Sequence, residues 1–149
     1  MANDNAPGQI VIAGTAAGVA EASEAVKLLG AKRVVPLQVG VAFHSPLMAP
    51  AQCRLDRALS QARFKPIDVD VVANVDATAH RDGWPAHLSA QLVRPVRWRQ
   101  SLLSMASLRA TTFVEIGPAA ELSGMVKRTL PEVRRLSIAT PGDLAHLAG

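Results

Sequence analysis

The stretch TFVEIGPAAELSGMVKRTLPEVRRLSI, Thr112–Ile138, decides how the chain is read. Its first five residues, TFVEI, mix β-branched and aromatic side chains as a strand does, and Gly117-Pro118 turns the chain after them. Leu122, Met125 and Val126 then recur at helical spacing, to about Arg128. Arg134–Ile138 offers a last short strand. A strand, a helix and a strand in that order predict a parallel connection, because parallel strands need a crossover between them.

The same alternation extends back to the N-terminus. Gln9–Ala13 (QIVIA) reads as a strand closed by Gly14, and Thr15 can cap the helix marked by Val19, Ala22, Val26 and Leu29, with Gly30 as its stop. No earlier element is expected to pair with that first strand. Arg33–Val39 (RVVPLQV) reads as a second strand, at an edge or bulge because Pro36 cannot donate a hydrogen bond. Pro46 and Pro50 suit a helix entry, and Ala51, Leu55, Ala58, Leu59 and Ala62 form one apolar stripe as far as Lys65-Pro66. Ile67, Val69 and Val71 alternate with Asp68 and Asp70, as in a half-exposed strand. A polar loop at 80–85, a short helix over Pro85–Val93 and another marked by Trp98, Leu102 and Met105 complete the series. Strands alternating with helices are an α/β or α+β signature, with parallel connections expected in the second half, and the fold class is read as α/β.

Composition narrows the function. A chain of 149 residues with 49% apolar content has enough material for a globular core, built from aliphatic residues because aromatics are only 3% and Tyr is absent. The formal charge is +4 and the isoelectric point about 10, which favours acidic partners such as nucleic acid, an anionic membrane or a phosphate-bearing substrate. The basic residues are scattered, however, as in Lys32-Arg33, Lys127-Arg128 and Arg134-Arg135, so neither a nucleic-acid site nor a membrane partner is expected. Cys53 is the only cysteine, which rules out an intramolecular disulfide and a multi-thiolate zinc site, and its place among apolar helix positions predicts burial. MANDNAPGQ lacks the basic and apolar parts of a secretory signal, and a cytoplasmic location is expected.

The chemistry centres on VGVAFHSPLMAP, Val39–Pro50. His44 lies at a turn between a β-branched run and a helical one, where it is either a proton carrier or a polar residue of the helix entry. Its neighbour Ser45 is a poor nucleophile for it, since adjacent side chains on a turning chain point apart. No GxSxG elbow occurs, nor a GxGxxG or GxxxxGK[ST] phosphate loop, and His80, His87 and His146 show no metal-ligand spacing. No metal or cofactor is expected. The residues thus contain a candidate base without a nucleophile.

Four segments in order resemble one family: the malonyl-CoA:acyl carrier protein transacylases and the acyltransferase domains of fatty acid and polyketide synthases. The segments are NDNAPGQIVIAG at 3–14, AKR at 31–33 running on to VAFHSPLM at 41–48, NVD at 74–76 with QLVRPVRW at 91–98, and VEIGP at 114–118. The likeness covers roughly residues 2 to 130. It implies that the chain corresponds to the C-terminal half of such an enzyme. Residues 1–40 would be part of a ferredoxin-like subdomain, and 41–149 the C-terminal part of the α/β-hydrolase-like domain. It implies that His44 is the catalytic histidine, with its serine nucleophile upstream of residue 1, and that the backbone carbonyl of Gln91 orients it. Phe43 and Asn5 fall at substrate-binding positions. An aromatic before the histidine goes with malonyl selectivity in the family, although Phe43 also reads as a core aromatic. Malonyl-CoA and acyl carrier protein are the implied partners, and a separate N-terminal acyltransferase half is a further candidate. One departure is Ala119-Ala120-Glu121, where the family usually has glycine followed by a basic or polar residue and an aliphatic one. The competing readings are an inactive or acyl-carrier-protein-docking protein, half of a split enzyme, and an unrelated small basic binding domain.

Overall fold

A computed structural model describes residues 1–147. Along the chain run β1 (Asn3–Ala6), β2 (Gln9–Val11), α1 (Ala16–Leu28), α2 (Ala49–Gln61), β3 (Val71–Ala73), β4 (Thr78–His80), α3 (Trp84–Val93), α4 (Trp98–Ser107), β5 (Thr112–Ile116), α5 (Glu121–Thr129) and β6 (Arg134–Ile138). Short 3₁₀ turns occupy Pro46–Met48 and Pro141–Leu147. The architecture is α/β, as the alternation of patterns predicts.

Thr112–Ile138 forms the expected parallel unit. β5 and β6 pair in parallel from Thr112 opposite Arg134 to Ile116 opposite Ile138, and α5 makes the crossover. Glu115 ties the helix to the sheet: its carboxylate accepts the N–H groups of Leu122 and Ser123 at 3.0 and 2.7 Å, so a residue of β5 caps the open start of α5. Burial would raise the Glu115 pKa, but hydrogen bonds from Ser123, Leu122 and Glu121 outweigh it and hold the carboxyl below its ordinary value.

The core is centred on α4. Leu102 and Ser101 are fully buried there, with Ala2, Ala6, Val96, Val126 and Ile138 also buried. β1 packs against both α4 and α5. It is held to the start of α4 by backbone bonds from Asp4 N to Val96 O (2.9 Å) and from Val96 N to Ala2 O (2.8 Å). Arg99 donates to both carboxylate oxygens of Asp4 at 2.8–3.0 Å. The β3–β4 turn is fastened to α4 as well, through Arg97 N to Asn74 O (2.9 Å), Arg97 Nη1 to Asp76 O (3.1 Å) and Ser104 Oγ to Ala77 O (2.6 Å).

Several expectations need correction. The first strand does have an earlier partner: Asn3–Ala6 pairs antiparallel with Gln9–Val11 across Pro7-Gly8. Proline and then glycine at φ +74° suit the two central positions of a type II turn. The run 33–39 is not a strand. No other strand lies beside it among the described residues, and its apolar side chains Val35, Leu37 and Val39 are exposed. A strand is completed by its neighbour's hydrogen bonds, so a β-patterned sequence without one stays irregular. The strand expected at 67–71 begins only at Val71, where β4 is available to pair. Cys53 is exposed, because it lies about 200° around α2 from Leu55, which faces inward.

The accessible surface is 10,292 Å² for 15.7 kDa. A compact monomer of that mass exposes about 7,300 Å² by the usual scaling. The surplus includes apolar side chains at Leu28, Leu29, Val35, Leu37, Val39, Val41 and Ile116.

Two stability outcomes are expected. Leu102→Ala should cost about 2–5 kcal/mol in urea unfolding, whereas Leu28→Ala, at a position 90% exposed, should change stability by less than about 0.5 kcal/mol. Because the folded-state pKa of Glu115 is depressed, its contribution is complete above the ordinary carboxyl value of about 4.5 and disappears as pH falls through the lower folded value. Glu115→Gln should therefore unfold at lower urea than the parent at neutral pH, and the gap should close in acid below the folded pKa. An equal gap at both pH values would contradict this account.

Candidate active site

His44 occupies the tight turn that leads into the 3₁₀ turn at Pro46–Met48. Its φ is +59°, a left-handed conformation that few non-glycine residues adopt, though histidine does so more readily than most. Ser45 fixes the following step. Its hydroxyl donates to Ala42 O at 2.7 Å and accepts the N–H of Leu47 at 3.3 Å, capping the turn, and the residue is buried. That hydroxyl is committed to the backbone.

The imidazole is held from α3. His44 Nδ1 lies 2.9 Å from the backbone carbonyl of Gln91. The side-chain Nε2 of Gln91 also approaches Nδ1, at 3.4 Å, but it is better placed on Arg94 O at 3.0 Å. A carbonyl can only accept, so the shorter contact assigns the proton to Nδ1 and leaves the Nε2 lone pair free. Gln91 Oε1 is buried without a hydrogen-bond partner among the described residues. α3 is in turn anchored to α2, where Gln52 Nε2 donates to Ser89 O and Oγ at 3.2 and 3.0 Å.

Phe43 stands beside the histidine, with ring centroids 6.4 Å apart, and is 49% exposed, so it is not a core aromatic of the described chain. Asn5 lies elsewhere, at the bulge in β1 where the register slips between Asp4 and Ala6, and no hydrogen bond joins it to His44 or Gln91. The structure thus brings His44, Gln91 and Phe43 together, and Asn5 shares no hydrogen bond with them among the described residues. His44 does not line the shallow concavities that run along Val114–Leu122 and between β4 and α4.

Linear spacing overlooks a second cluster. No metal-ligand pattern is legible in the sequence, yet the fold collects Asp76, His80 and His87 from the β3–β4 turn, the end of β4 and the first turns of α3. The sequence signal was weak: Asp76 and His80 are four apart, but a hairpin intervenes, and His87 belongs to a different element. Burial would raise the pKa of Asp76, but the Thr78 N–H and the two histidines outweigh it and hold the carboxyl below its ordinary value.

The α/β chain thus presents a histidine bonded through Nδ1 to a main-chain carbonyl, with Nε2 left as the available acceptor. The comparisons with known proteins are more specific. The acyl transferase domain model matches residues 1–149, and the chain belongs to that family. It is 43% identical over 143 residues to the malonyl CoA-acyl carrier protein transacylase of Bacillus subtilis, covering 95% of this chain and 45% of that protein. It is 38% identical over 149 residues to the Synechocystis enzyme of the same name, covering 99% of this chain and 50% of the relative. Among solved structures, an acyl carrier protein S-malonyltransferase from Vibrio cholerae superposes with a TM-score of 0.94 at 34% identity, covering 98% of this chain and 48% of that one. A type II PKS acyl-carrier protein in complex with its malonyl-transacylase gives 0.93 at 34% identity, covering 97% of this chain and 47% of the matched one. The chain spans about half the length of the curated relatives it matches.

The geometry makes a spectroscopic prediction. Nitrogen-15 correlation spectra of neutral His44 should show the Nδ1–H tautomer, and Gln91→Ala should keep it because the acceptor is backbone. Loss of that tautomer on truncation would mean that the side chain, not the carbonyl, holds the ring.

Proposed function

We propose that this chain supplies the histidine-bearing half of a malonyl-CoA:acyl carrier protein transacylase. The observation that carries the reading is the 2.9 Å contact between His44 Nδ1 and Gln91 O, which directs an unprotonated Nε2 away from α3. In such an enzyme a serine Oγ, brought by an N-terminal portion, attacks the malonyl thioester while Nε2 takes its proton. The coenzyme A sulfur leaves and takes the proton back from the imidazolium. The phosphopantetheine thiol of acyl carrier protein then attacks the serine ester, gives its proton to Nε2, and serine recovers one as it departs. His44 is base and acid in turn. Gln91 is a positioning residue that fixes the tautomer.

The surplus accessible surface supports a covering N-terminal portion. Residues 1 to about 40 would belong to a ferredoxin-like subdomain, with the bare apolar side chains of the run 33–39 covered by that N-terminal portion. Residues from 41 onward, with β5–α5–β6, would complete the α/β-hydrolase-like part. Phe43, beside the imidazole and open to solvent, would wall the acyl pocket and disfavour an α-methyl group. Asn5, at the bulge of β1, would contribute to substrate binding from that strand.

The test is malonyl transfer with a serine-bearing N-terminal portion supplied by fusion or in trans. Transfer should appear, and His44→Ala should lower its rate by about 10²–10⁴-fold, the usual loss of a general base. In the same assay Phe43→Ser should narrow the preference for malonyl over methylmalonyl by up to about 3 kcal/mol, the scale of one carbon in a pocket. An unimpaired His44→Ala enzyme would make the histidine structural. No transfer in any reconstituted form would favour a docking protein or an inactive one.

A further inference from the structure

We propose that Asp76, His80 and His87 hold a single late first-row divalent cation, zinc by the character of the donors. His80 Nε2 is 2.9 Å from Asp76 Oδ2, and His87 Nδ1 is 3.9 Å from the same oxygen. All three ligand atoms lie within 4.8 Å of one another. A tetrahedral zinc ion with bonds of about 2.0–2.2 Å sets its ligand atoms about 3.3 Å apart, between the two spacings to Asp76. Binding would require the stacked His80 and His87 rings, with centroids 3.9 Å apart, to splay as the three donors turn to the ion. Two imidazole nitrogens and one carboxylate oxygen form a donor set that suits zinc and its neighbours better than calcium or magnesium.

A plain ion pair accounts for only part of this arrangement. A proton between His80 and Asp76 satisfies one contact and leaves His87 Nδ1 at 3.9 Å, beyond hydrogen-bond range. The two imidazoles are packed with centroids 3.9 Å apart and 38° between their planes, so two histidine cations here would repel. One divalent cation engages both rings and the carboxylate together.

The surroundings are arranged to support it. Thr78 N–H donates to Asp76 Oδ1 at 3.0 Å, which occupies one carboxylate oxygen and leaves Oδ2 for the ion. A Cβ at Gly83 would come within 3.3 Å of His87 Nε2, so the glycine gives the ring its room. Trp84 packs edge-on to His80 and also flanks His87, closing one side with an apolar wall. All three ligands are only partly buried, so the fourth position opens to water. The ion would join the β3–β4 turn to the first turns of α3.

The full chain, without a histidine tag and stripped with a chelator, should be titrated with zinc chloride by calorimetry and with cobalt chloride by absorption. One equivalent of zinc should bind and raise the thermal midpoint, and cobalt should give the intense visible bands of tetrahedral coordination. His87→Gln keeps the Asp76–His80 bond, and Asp76→Asn keeps the side-chain shape. Each should weaken zinc binding by more than about 100-fold, exceeding the usual loss of an outer-shell partner. Circular dichroism verifies that the variants fold. Cys53→Ser and His146→Gln should bind as the parent does. The proposal is overturned if the folded parent takes up no stoichiometric zinc, if both cluster variants bind unimpaired, or if uptake follows Cys53 or His146.

Discussion

A carboxylate taken out of water must be paired, and Asp4 meets that requirement with Arg99. The Asp4 side chain is 6% exposed, and the guanidinium grips both of its oxygens from α4. This pair joins β1, the first element, to α4 across 95 positions of the chain. The β1 backbone bonds to Val96 on the same footing. Around this joint the buried aliphatic residues assemble, and from α4 the Arg97 and Ser104 bonds hold the β3–β4 turn. Removing Arg99 would leave the Asp4 charge buried without a partner, whereas removing Asp4 would leave a guanidinium that water still reaches.

What could be read in advance follows from where the information lies. The β5–α5–β6 unit is legible because each of its parts is local: a β-branched run, a helical stripe, a second run. Glu115 fits the pattern only once the fold is known, since its carboxylate serves a helix that starts six residues later. β1 is illegible from Asn3-Asp4-Asn5, residues that disfavour strands, and it exists because tertiary pairing with β2 and Val96 overrides propensity. The run 33–39 fails in the opposite sense, a strong β pattern with no pairing edge.

The site shows the same division. His44 stands out because it interrupts an apolar run at a turn, yet the spacing says nothing of Gln91. Only the family resemblance points to Gln91, because the hydrogen bond spans 47 positions. Ser45 illustrates why proximity in sequence misleads: it is the hydroxyl nearest His44 along the chain, and it is spent on capping. Asp76, His80 and His87 were invisible to spacing because a hairpin and a helix start bring them together.

α3 carries His87 in its second turn and Gln91 one turn later, with Ser89 between them bound to α2. The helix therefore acts as a ruler about 6 Å long between two fixtures. Four residues set both the distance and the rotational phase of the Gln91 carbonyl relative to the β3–β4 turn. Inserting or deleting one residue in this interval turns that carbonyl through about 100° and shifts it by about 1.5 Å. The position of that carbonyl is therefore set by the length of the segment more than by the side chains within it.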